Sequence, residues 1–355
     1  MELTDNVNIK RFKSLISPAM LREELPTSDR DVLRVAQFRQ RIQKILLGKH
    51  EPFLVMVGPC SVHDPRAALD YAKKLKTLQD QIGHHVLIVM RAYVEKPRTT
   101  LGWKGLIYDP HLDSSYDIEA GLREARSVLL AISDIGLPAA TEFLDPIVPQ
   151  YIADLVSWAA VGARTTESQI HRQMASGLSM PIGFKNSTDG NLSSAVDAIK
   201  AAASPHSFMG IDRNGQVVIA ETNGNPFGHL VMRGGLQGPN YGAEHVAFAD
   251  VLLQKNAIET KLIIDCSHAN ASKNYIQQGR VCRDVIDQIQ AENTRITGIM
   301  LEGFLREGKQ ASDTLDNLTY GLSITDGCIG WKETETLIQQ VSDAIDSKTN
   351  KTVNV

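Results

Sequence analysis

Cysteine is scarce in this chain. There are four in 355 residues, Cys60, Cys266, Cys282 and Cys328, which make no disulfide framework. Each is a thiol to be explained, and the reducing cytoplasm is the compartment expected. No apolar run reaches the roughly 20 residues that a membrane helix needs, and the N-terminus carries no signal-peptide pattern. The expectation is a protein that does not engage a membrane. Positive charge is not in excess either: 37 Lys and Arg face 41 Asp and Glu, a net charge of -4. That removes the global basic field nucleic acid would need, so any anion site has to be local. The first apolar run is not followed by a glycine-rich dinucleotide turn, which argues against a doubly wound nucleotide fold. The remaining composition, 43% hydrophobic and 22% charged, suits one large core or two modest ones.

The informative stretch runs from Arg91 to Trp103. It follows His85-Val-Leu-Ile-Val-Met90, a short apolar run that reads as a buried parallel strand. Arg91 therefore sits at a strand's C-terminal end. Lys96, Arg98, Thr99 and Thr100 follow within a few residues, braced by Pro97. Guanidinium forks, an ammonium and hydroxyls in one turn suit phosphate and carboxylate oxygens. Taken singly, such a loop is an ordinary solvated basic turn. What gives it weight is that an apolar run ending in a chemically potent residue recurs along the chain.

Residues 1–27 read as an arm, with a short helix near 16–25. Ser28 caps a helix running to Leu47, with Val32, Val35, Phe38, Ile42, Ile45 and Leu46 on one side and Gly48 as its stop. Strands are expected at 53–57, 85–90, 137–141, 159–163, 181–184, 229–232, 261–264 and 296–301. Helices are expected at 66–81 (Asp64 cap, then Pro65), 116–133, from Asp145-Pro146 onward, 171–178, 193–203, 243–254, 275–291 and 333–345. The rhythm breaks once, where 208–211 and 216–221 read as an extra hairpin around Arg213-Asn-Gly215. Eight strand-then-helix units imply a parallel sheet closed into a TIM (β/α)8 barrel. The expected division is an arm and helix over 1–49 and a catalytic barrel over 50–355. The inserted hairpin, about 205–228, precedes the sixth barrel strand.

In a barrel the strand ends share one mouth. Here they deliver Cys60, Arg91, Glu142, Arg164, Lys185, Arg233, His268 and Glu302, and the loops add Lys96, Arg98 and Asp326. Each alone could be a structural ion pair or a core thiol or imidazole; one such residue at every strand is not accidental. The cations Arg91, Lys96, Arg98, Arg164, Lys185 and Arg233 repel one another unless anions fill the cluster, which calls for phosphorylated substrates. Cys60, His268, Glu302 and Asp326 form a mixed sulfur, nitrogen and carboxylate set. Such a set suits one divalent ion such as Mn, Fe, Co or Zn better than Mg or Ca.

The motifs carrying these residues are Gly58-Pro-Cys-Ser, Glu95-Lys-Pro-Arg-Thr-Thr-Leu-Gly-Trp-Lys-Gly105, Gly162-Ala-Arg-Thr-Thr-Glu-Ser-Gln169, Gly183-Phe-Lys-Asn186, Arg233-Gly-Gly, Ser267-His-Ala-Asn270 and Ser323-Ile-Thr-Asp326. By them the chain resembles class I 3-deoxy-D-arabino-heptulosonate 7-phosphate (DAHP) synthase over nearly its whole length, most of all the bacterial feedback-regulated isoenzymes. It departs from that pattern at Val94, Ser187, Gly303 and the loop Leu236-Gln-Gly-Pro-Asn-Tyr241. In the family the cysteine, histidine, glutamate and aspartate of these motifs bind the metal.

The resemblance implies condensation of phosphoenolpyruvate with erythrose 4-phosphate, the first step of the shikimate pathway. It assigns Arg91 and Lys185 to the enolpyruvate carboxylate and Arg164 and Arg233 to its phosphate. Arg98 and Thr99 take the aldose phosphate, and Glu142 and Ala163 join the substrate site. Cys60, His268 and Asp326 count as catalytic through the metal. Lys96 counts as the acid near the new alkoxide, with a pKa expected to be lowered by its cationic neighbours. The resemblance also implies a homo-oligomer, dimer or tetramer, with an aromatic amino-acid site formed by Asp5, Asn6, Pro149, Gln150, Ser179 and Phe208. The surroundings of Asn6 and the Ser179-Met-Pro181 segment look closest to the tyrosine-sensitive type. Two other readings remain: a metal-dependent aldolase using a different phosphosugar, and a non-catalytic barrel that binds phosphometabolites.

Overall fold

The computed structural model describes residues 4–49, 52–291 and 293–353. The first five strands are β1 (Phe53–Gly58), β2 (Val86–Arg91), β3 (Ala139–Glu142), β4 (Trp158–Val161) and β5 (Ile182–Lys185). A separate antiparallel hairpin, β6 (His206–Ile211) and β7 (Val217–Thr222), comes next. It is followed by β8 (Gly228–Met232), β9 (Leu262–Asp265) and β10 (Ile296–Glu302). All the strands except the hairpin are parallel and close into one barrel in the order β1-β10-β9-β8-β5-β4-β3-β2. The barrel strands are buried on both faces, as parallel strands covered by helices must be.

The helices are α1 (Pro18–Glu24), α2 (Asp29–Leu46), α3 (Pro65–Ile82), α4 (Ile118–Ile135), α5 (Val148–Ile152), α6 (Gln169–Gly177), α7 (Ser193–Ala202), α8 (Ala243–Lys255), α9 (Gln278–Gln290) and α10 (Trp331–Val353). Their starts follow the capping chemistry. Asp64 accepts from the Arg66 and Ala67 amides with Pro65 in the first turn, and Ser28 and Asp31 cap each other's backbone at α2. Among the described residues no helix is long and apolar enough to cross a membrane.

One core lies between the strands and the outer helices. The other fills the barrel itself and includes Leu54, Met56, Leu87, Trp158, Ile263 and Met300 together with Ile42, Ile45 and Leu46 of α2. α2 thus belongs to the barrel's packing. Its last turn is fixed to the strand starts, where Leu46 O accepts from the Lys261 amide at 2.8 Å and Ile45 O from Thr297 Oγ1 at 3.1 Å. Trp158 Nε1 donates to His229 Nε2 at 2.9 Å inside the barrel, and burial pushes that imidazole down to about 4, so it stays a neutral acceptor.

Four elements differ from the sequence expectation. Val32 is exposed, because the buried position in that turn goes to Asp31, which accepts from Ser133 Oγ at 2.7 Å. α4 begins at Ile118, since Tyr116 is left-handed (φ 54°) and Asp117 supplies the cap. The helix expected to open at Asp145-Pro146 is reduced to the five residues of α5 and a 3-10 turn. There Asp145 holds the Ile147 amide and the Tyr108 hydroxyl. The helix expected over 275–291 is split, with a 3-10 turn at Tyr275–Gln277 capped by Asn274 before α9.

The arm and hairpin meet. The Ala19 amide donates to Arg213 O at 2.7 Å, and Tyr151 Oη donates to Ile16 O at 2.7 Å, which docks the start of α1 beside α5.

Candidate active site

The mouth residues are carried there by the strand ends and by the loops that follow them. β1 ends at Gly58 beside Glu302 of β10, and a Cβ at position 58 would collide with Arg91 O. The chain then turns through Pro59 to Cys60. Glu95, fully buried, accepts from the Leu144 and Asp145 amides at 3.1 Å each and so pins the Lys96–Arg98 loop to the end of β3. Burial pushes its carboxyl up to about 8, against the pull of those two amides. Gly162 follows β4, and a Cβ there would strike Glu142 Oε1, so only glycine lets that carboxylate stand where it does.

One cavity of about 310 Å³ is lined by Cys60, Arg91, Lys96, Arg98, Thr99, Glu142, Ala163, Arg164, Lys185, Arg233, His268, Glu302 and Asp326. That gathers every mouth residue singled out in the sequence. Tyr93, Thr100, Leu101 and Thr188 line it as well.

Two of its cations, Arg91 and Lys185, are buried against close partners. Arg91, 1% exposed, lies 3.9 Å from the Tyr93 ring centroid, donates through Nη2 to Glu302 Oε1 at 3.2 Å and through Nη1 to Met300 Sδ at 2.7 Å. Its Nε is buried without a hydrogen-bond partner among the described residues. Lys185 Nζ lies 3.2 Å from Asp265 Oδ2. Burial, the largest influence, would lower its pKa, but Asp265, Tyr93 and Glu142 together raise it and keep the ammonium charged. Arg164 Nε donates to Thr99 Oγ1 at 3.1 Å, joining two loops of the mouth.

The sulfur and oxygen donors converge beside these cations. Ligand atoms of Cys60, Glu302 and Asp326 all lie within 4.8 Å of one another. His268 is set slightly apart, with Nε2 3.9 Å from Glu302 Oε1 and Nδ1 2.9 Å from Asp265 Oδ2. Its backbone is left-handed (φ 54°), a strained conformation for a residue with a Cβ. Burial, then Glu302, push the Cys60 thiol up to about 12, with Lys96 opposing the rise.

Lys96 corrects the sequence expectation. Its ammonium is 2.8 Å from Cys60 Sγ and 2.9 Å from Asp326 Oδ2. Burial would lower its pKa, but Cys60, Glu302 and Asp326 together raise it. Its nearest neighbours are acids, not the cations expected.

Sequence reasoning missed Asp265, Tyr93 and Met300. Asp265 is fully buried, and its Oδ1 accepts from Ser267 N at 3.0 Å while its Oδ2 sits between Lys185 and His268. The only sequence signal was its place, the last residue of a strand. The six residues expected at an effector site lie outside this cavity. Asp5 and Asn6 are in the exposed arm, where Asn6 Nδ2 donates to Asp5 Oδ2 at 3.0 Å. Pro149 and Gln150 are in α5, Ser179 precedes β5, and Phe208 is on β6. Gln150 O accepts from Arg22 Nε and Nη2 at 3.2 and 2.7 Å.

A closed parallel barrel with a crowded cationic mouth beside a thiol and carboxylate cluster is the architecture of a barrel enzyme for small, multiply anionic substrates. Comparison with known proteins gives the family. The model of the DAHP synthetase I family matches residues 29–339. The chain belongs to the DAHP synthetase I family and is an enzyme. It is 49% identical to the Trp-sensitive phospho-2-dehydro-3-deoxyheptonate aldolase of Escherichia coli K12, over 98% of this chain and 100% of that one. It is 50% identical to the Phe-sensitive enzyme of the same strain, over 97% and 98%, and 47% identical to the Tyr-sensitive one, over 95% of each. These identities do not single out the tyrosine-sensitive type. A solved structure of phospho-2-dehydro-3-deoxyheptonate aldolase from Francisella tularensis SCHU S4 superposes with a TM-score of 0.93 at 46% identity, covering 96% of this chain and 99% of that one.

Proposed function

We propose that the cavity condenses phosphoenolpyruvate with erythrose 4-phosphate to DAHP and inorganic phosphate. The observation that carries this reading is the gathering of the phosphate and carboxylate clamps and the Cys60, Glu302 and Asp326 donors on one 310 Å³ cavity. Arg91 and Lys185 take the enolpyruvate carboxylate, for which Arg91 Nε is free. Arg164 and Arg233 fork onto its phosphate, with Glu142 and Ala163 closing that side. Arg98 and Thr99 hold the aldose phosphate.

Cys60, His268, Glu302 and Asp326 fit one borderline divalent ion, Mn, Fe, Co or Zn, whose chemistry there is Lewis-acid polarisation of a carbonyl. With both substrates clamped, the C2=C3 π pair of the enolpyruvate forms the bond from C3 to the aldehyde carbon, and the carbonyl π pair moves to its oxygen as an alkoxide. Water adds at C2 and gives up a proton, the C2–O bond to phosphate breaks to leave a ketone, and phosphate leaves with that electron pair. Lys96, held charged by acidic neighbours, is a hydrogen-bond donor to the new alkoxide before it is a proton donor. The buried thiols of all four cysteines fit a reducing cytoplasm.

Clamp partition provides the test. Arg164→Lys and Arg233→Lys keep charge but lose the fork. Each should raise the KM for phosphoenolpyruvate by about tenfold or more while moving that for the aldose far less, and Arg98→Lys should do the reverse. Equal effects of all three on both substrates would refute the partition.

Residues 1–49 and the hairpin region 205–228 are proposed as the oligomeric and regulatory parts of a dimer or tetramer. Met209, Val217 and Ile219 expose an apolar hairpin face that suits a subunit contact. An aromatic amino acid, tyrosine in preference to phenylalanine and then tryptophan, is proposed to bind Asp5, Asn6, Pro149, Gln150, Ser179 and Phe208. The contacts joining α1 to Gln150 and to the hairpin turn support a shared site. Inhibition requires tyrosine to bind one conformational state better than the other. Removing residues 1–9 should abolish inhibition while leaving most activity. Initial rates with each amino acid decide it: no response to any refutes regulation, and a response to tryptophan alone refutes the choice of ligand.

A further inference from the structure

Three buried asparagines from three different loops converge on the backbone of Arg233 and Gly234. Asn186, just after β5, accepts from the Arg233 amide through Oδ1 at 2.8 Å and donates through Nδ2 to Gly234 O at 2.9 Å. Asn240 accepts from the Gly234 amide through Oδ1 at 2.8 Å, and its Nδ2 donates to Asn186 Oδ1 at 3.2 Å. Asn270 donates through Nδ2 to Met232 O at 3.1 Å, and its own amide donates to Arg233 O at 3.2 Å. The Asn240 amide completes the ring by donating to Asn270 Oδ1 at 2.8 Å.

From Met232 O to Gly234 O, every backbone donor and acceptor in turn is therefore held by an asparagine. Gly234 is left-handed (φ 72°), and a Cβ there would strike the backbone at Ala269 and Asn270, so this close packing requires glycine. The Asn270 Nδ2 also donates to Asp265 O at 2.9 Å, and Asn186 directly follows Lys185. The cage thus references Arg233 to the two strands that carry Lys185 and Asp265.

We infer that Asn186, Asn240 and Asn270 are positioning residues that aim the Arg233 guanidinium at the phosphate of phosphoenolpyruvate. This rests on the reading of Arg233 as a clamp for that phosphate. The physical reason for a cage is that a fork binds phosphate well in one orientation. Arg233 stands on a turn after β8, where backbone freedom would otherwise blur its aim. Displacement of a binding group by about 1 Å can cost up to about a hundredfold. Asn240 is the informative member. It lies in the loop Leu236–Tyr241 that departs from the family pattern, and it touches the backbone of Arg233's neighbour rather than any ligand.

The test compares Asn240→Ala with Asn225→Ala in the full-length enzyme. Asn225 is an equally buried asparagine that bonds Leu178 O, Met180 O and the Phe227 amide near the starts of β5 and β8, at the far end of the barrel. It serves as the matched control for lost buried hydrogen bonds. Calorimetric binding of phosphoenolpyruvate, the KM for each substrate and the Tm are read for both. The expected result is that both variants lose Tm, but Asn240→Ala alone weakens phosphoenolpyruvate binding by about tenfold or more, with the aldose KM changed by less than about twofold. Asn270→Ser, which removes the contacts to Met232 and Asp265, should repeat that pattern and covers the case in which Asn240→Ala fails to fold. Unchanged phosphoenolpyruvate affinity in Asn240→Ala and Asn270→Ser, or equal shifts in both KM values, would overturn the inference. If Arg233→Lys itself leaves that affinity intact, the assignment of Arg233 as the clamp falls, and the cage's role falls with it.

Discussion

Replacing Cys60 by Ala should lower turnover by about a thousandfold or more, because Lewis-acid activation contributes several kcal/mol and each 1.4 kcal/mol is about a factor of ten. Cys60 supplies the only sulfur of the donor group formed with Glu302 and Asp326. Its side chain is small and fully buried, so truncation leaves a cavity of about one sulfur atom, a modest loss beside the stability of a barrel this size. The fold should survive, and circular dichroism with metal analysis separates loss of the ion from loss of structure. His268→Ala should behave in the same way. In the unaltered enzyme a chelator should abolish activity, and Mn, Fe, Co or Zn should restore it, whereas neither variant should recover. Full activity of either variant, or of the parent after exhaustive chelation, would sink the assignment.

The second large effect is expected at Asp265. Its Oδ2 stands 3.2 Å from Lys185 Nζ and 2.9 Å from His268 Nδ1, so one buried carboxylate would support the proposed carboxylate clamp and the proposed metal set together. Burial would raise its pKa, but His268 and Lys185 hold it well below the usual carboxylate range. Asp265→Asn keeps the shape and removes the charge. A carboxylate behind a ligating imidazole is worth about 10- to 100-fold in metal affinity, and leaving Lys185 buried without its counter-ion costs on the order of 3 kcal/mol. The variant should therefore lose metal affinity, phosphoenolpyruvate affinity and Tm together. An Asp265→Asn enzyme that loses Tm but binds metal and phosphoenolpyruvate as the parent does would show that the carboxylate is structural only.

The barrel could be anticipated because its signal is local. Each apolar run is short and buried on both faces, most are ended by a charged residue, and Asp64 and Gly136 mark helix ends by chemistry that acts within one turn. What could not be read depended on closure. The Lys96 expectation failed because Cys60 is 36 residues away and Asp326 is 230 away, and only the barrel brings them to one ammonium. Asp265 was passed over because one of its two partners, Lys185, is at the end of β5, far off in sequence, although the other, His268, is only three residues on. The packing of α2 into the barrel was invisible for the same reason, since its partners are Lys261 and Thr297. Effector preference is less legible still, since the chain is 47–50% identical to Trp-, Phe- and Tyr-sensitive relatives alike.

The central claim, condensation of phosphoenolpyruvate with a four-carbon aldose phosphate, is tested most directly by initial rates of phosphate release from phosphoenolpyruvate with each candidate aldose phosphate. The predicted result is release that needs both erythrose 4-phosphate and a divalent metal and that matches the heptulosonate formed mole for mole. Phosphate release that is equally fast without the aldose, or that favours a different phosphosugar, would contradict it.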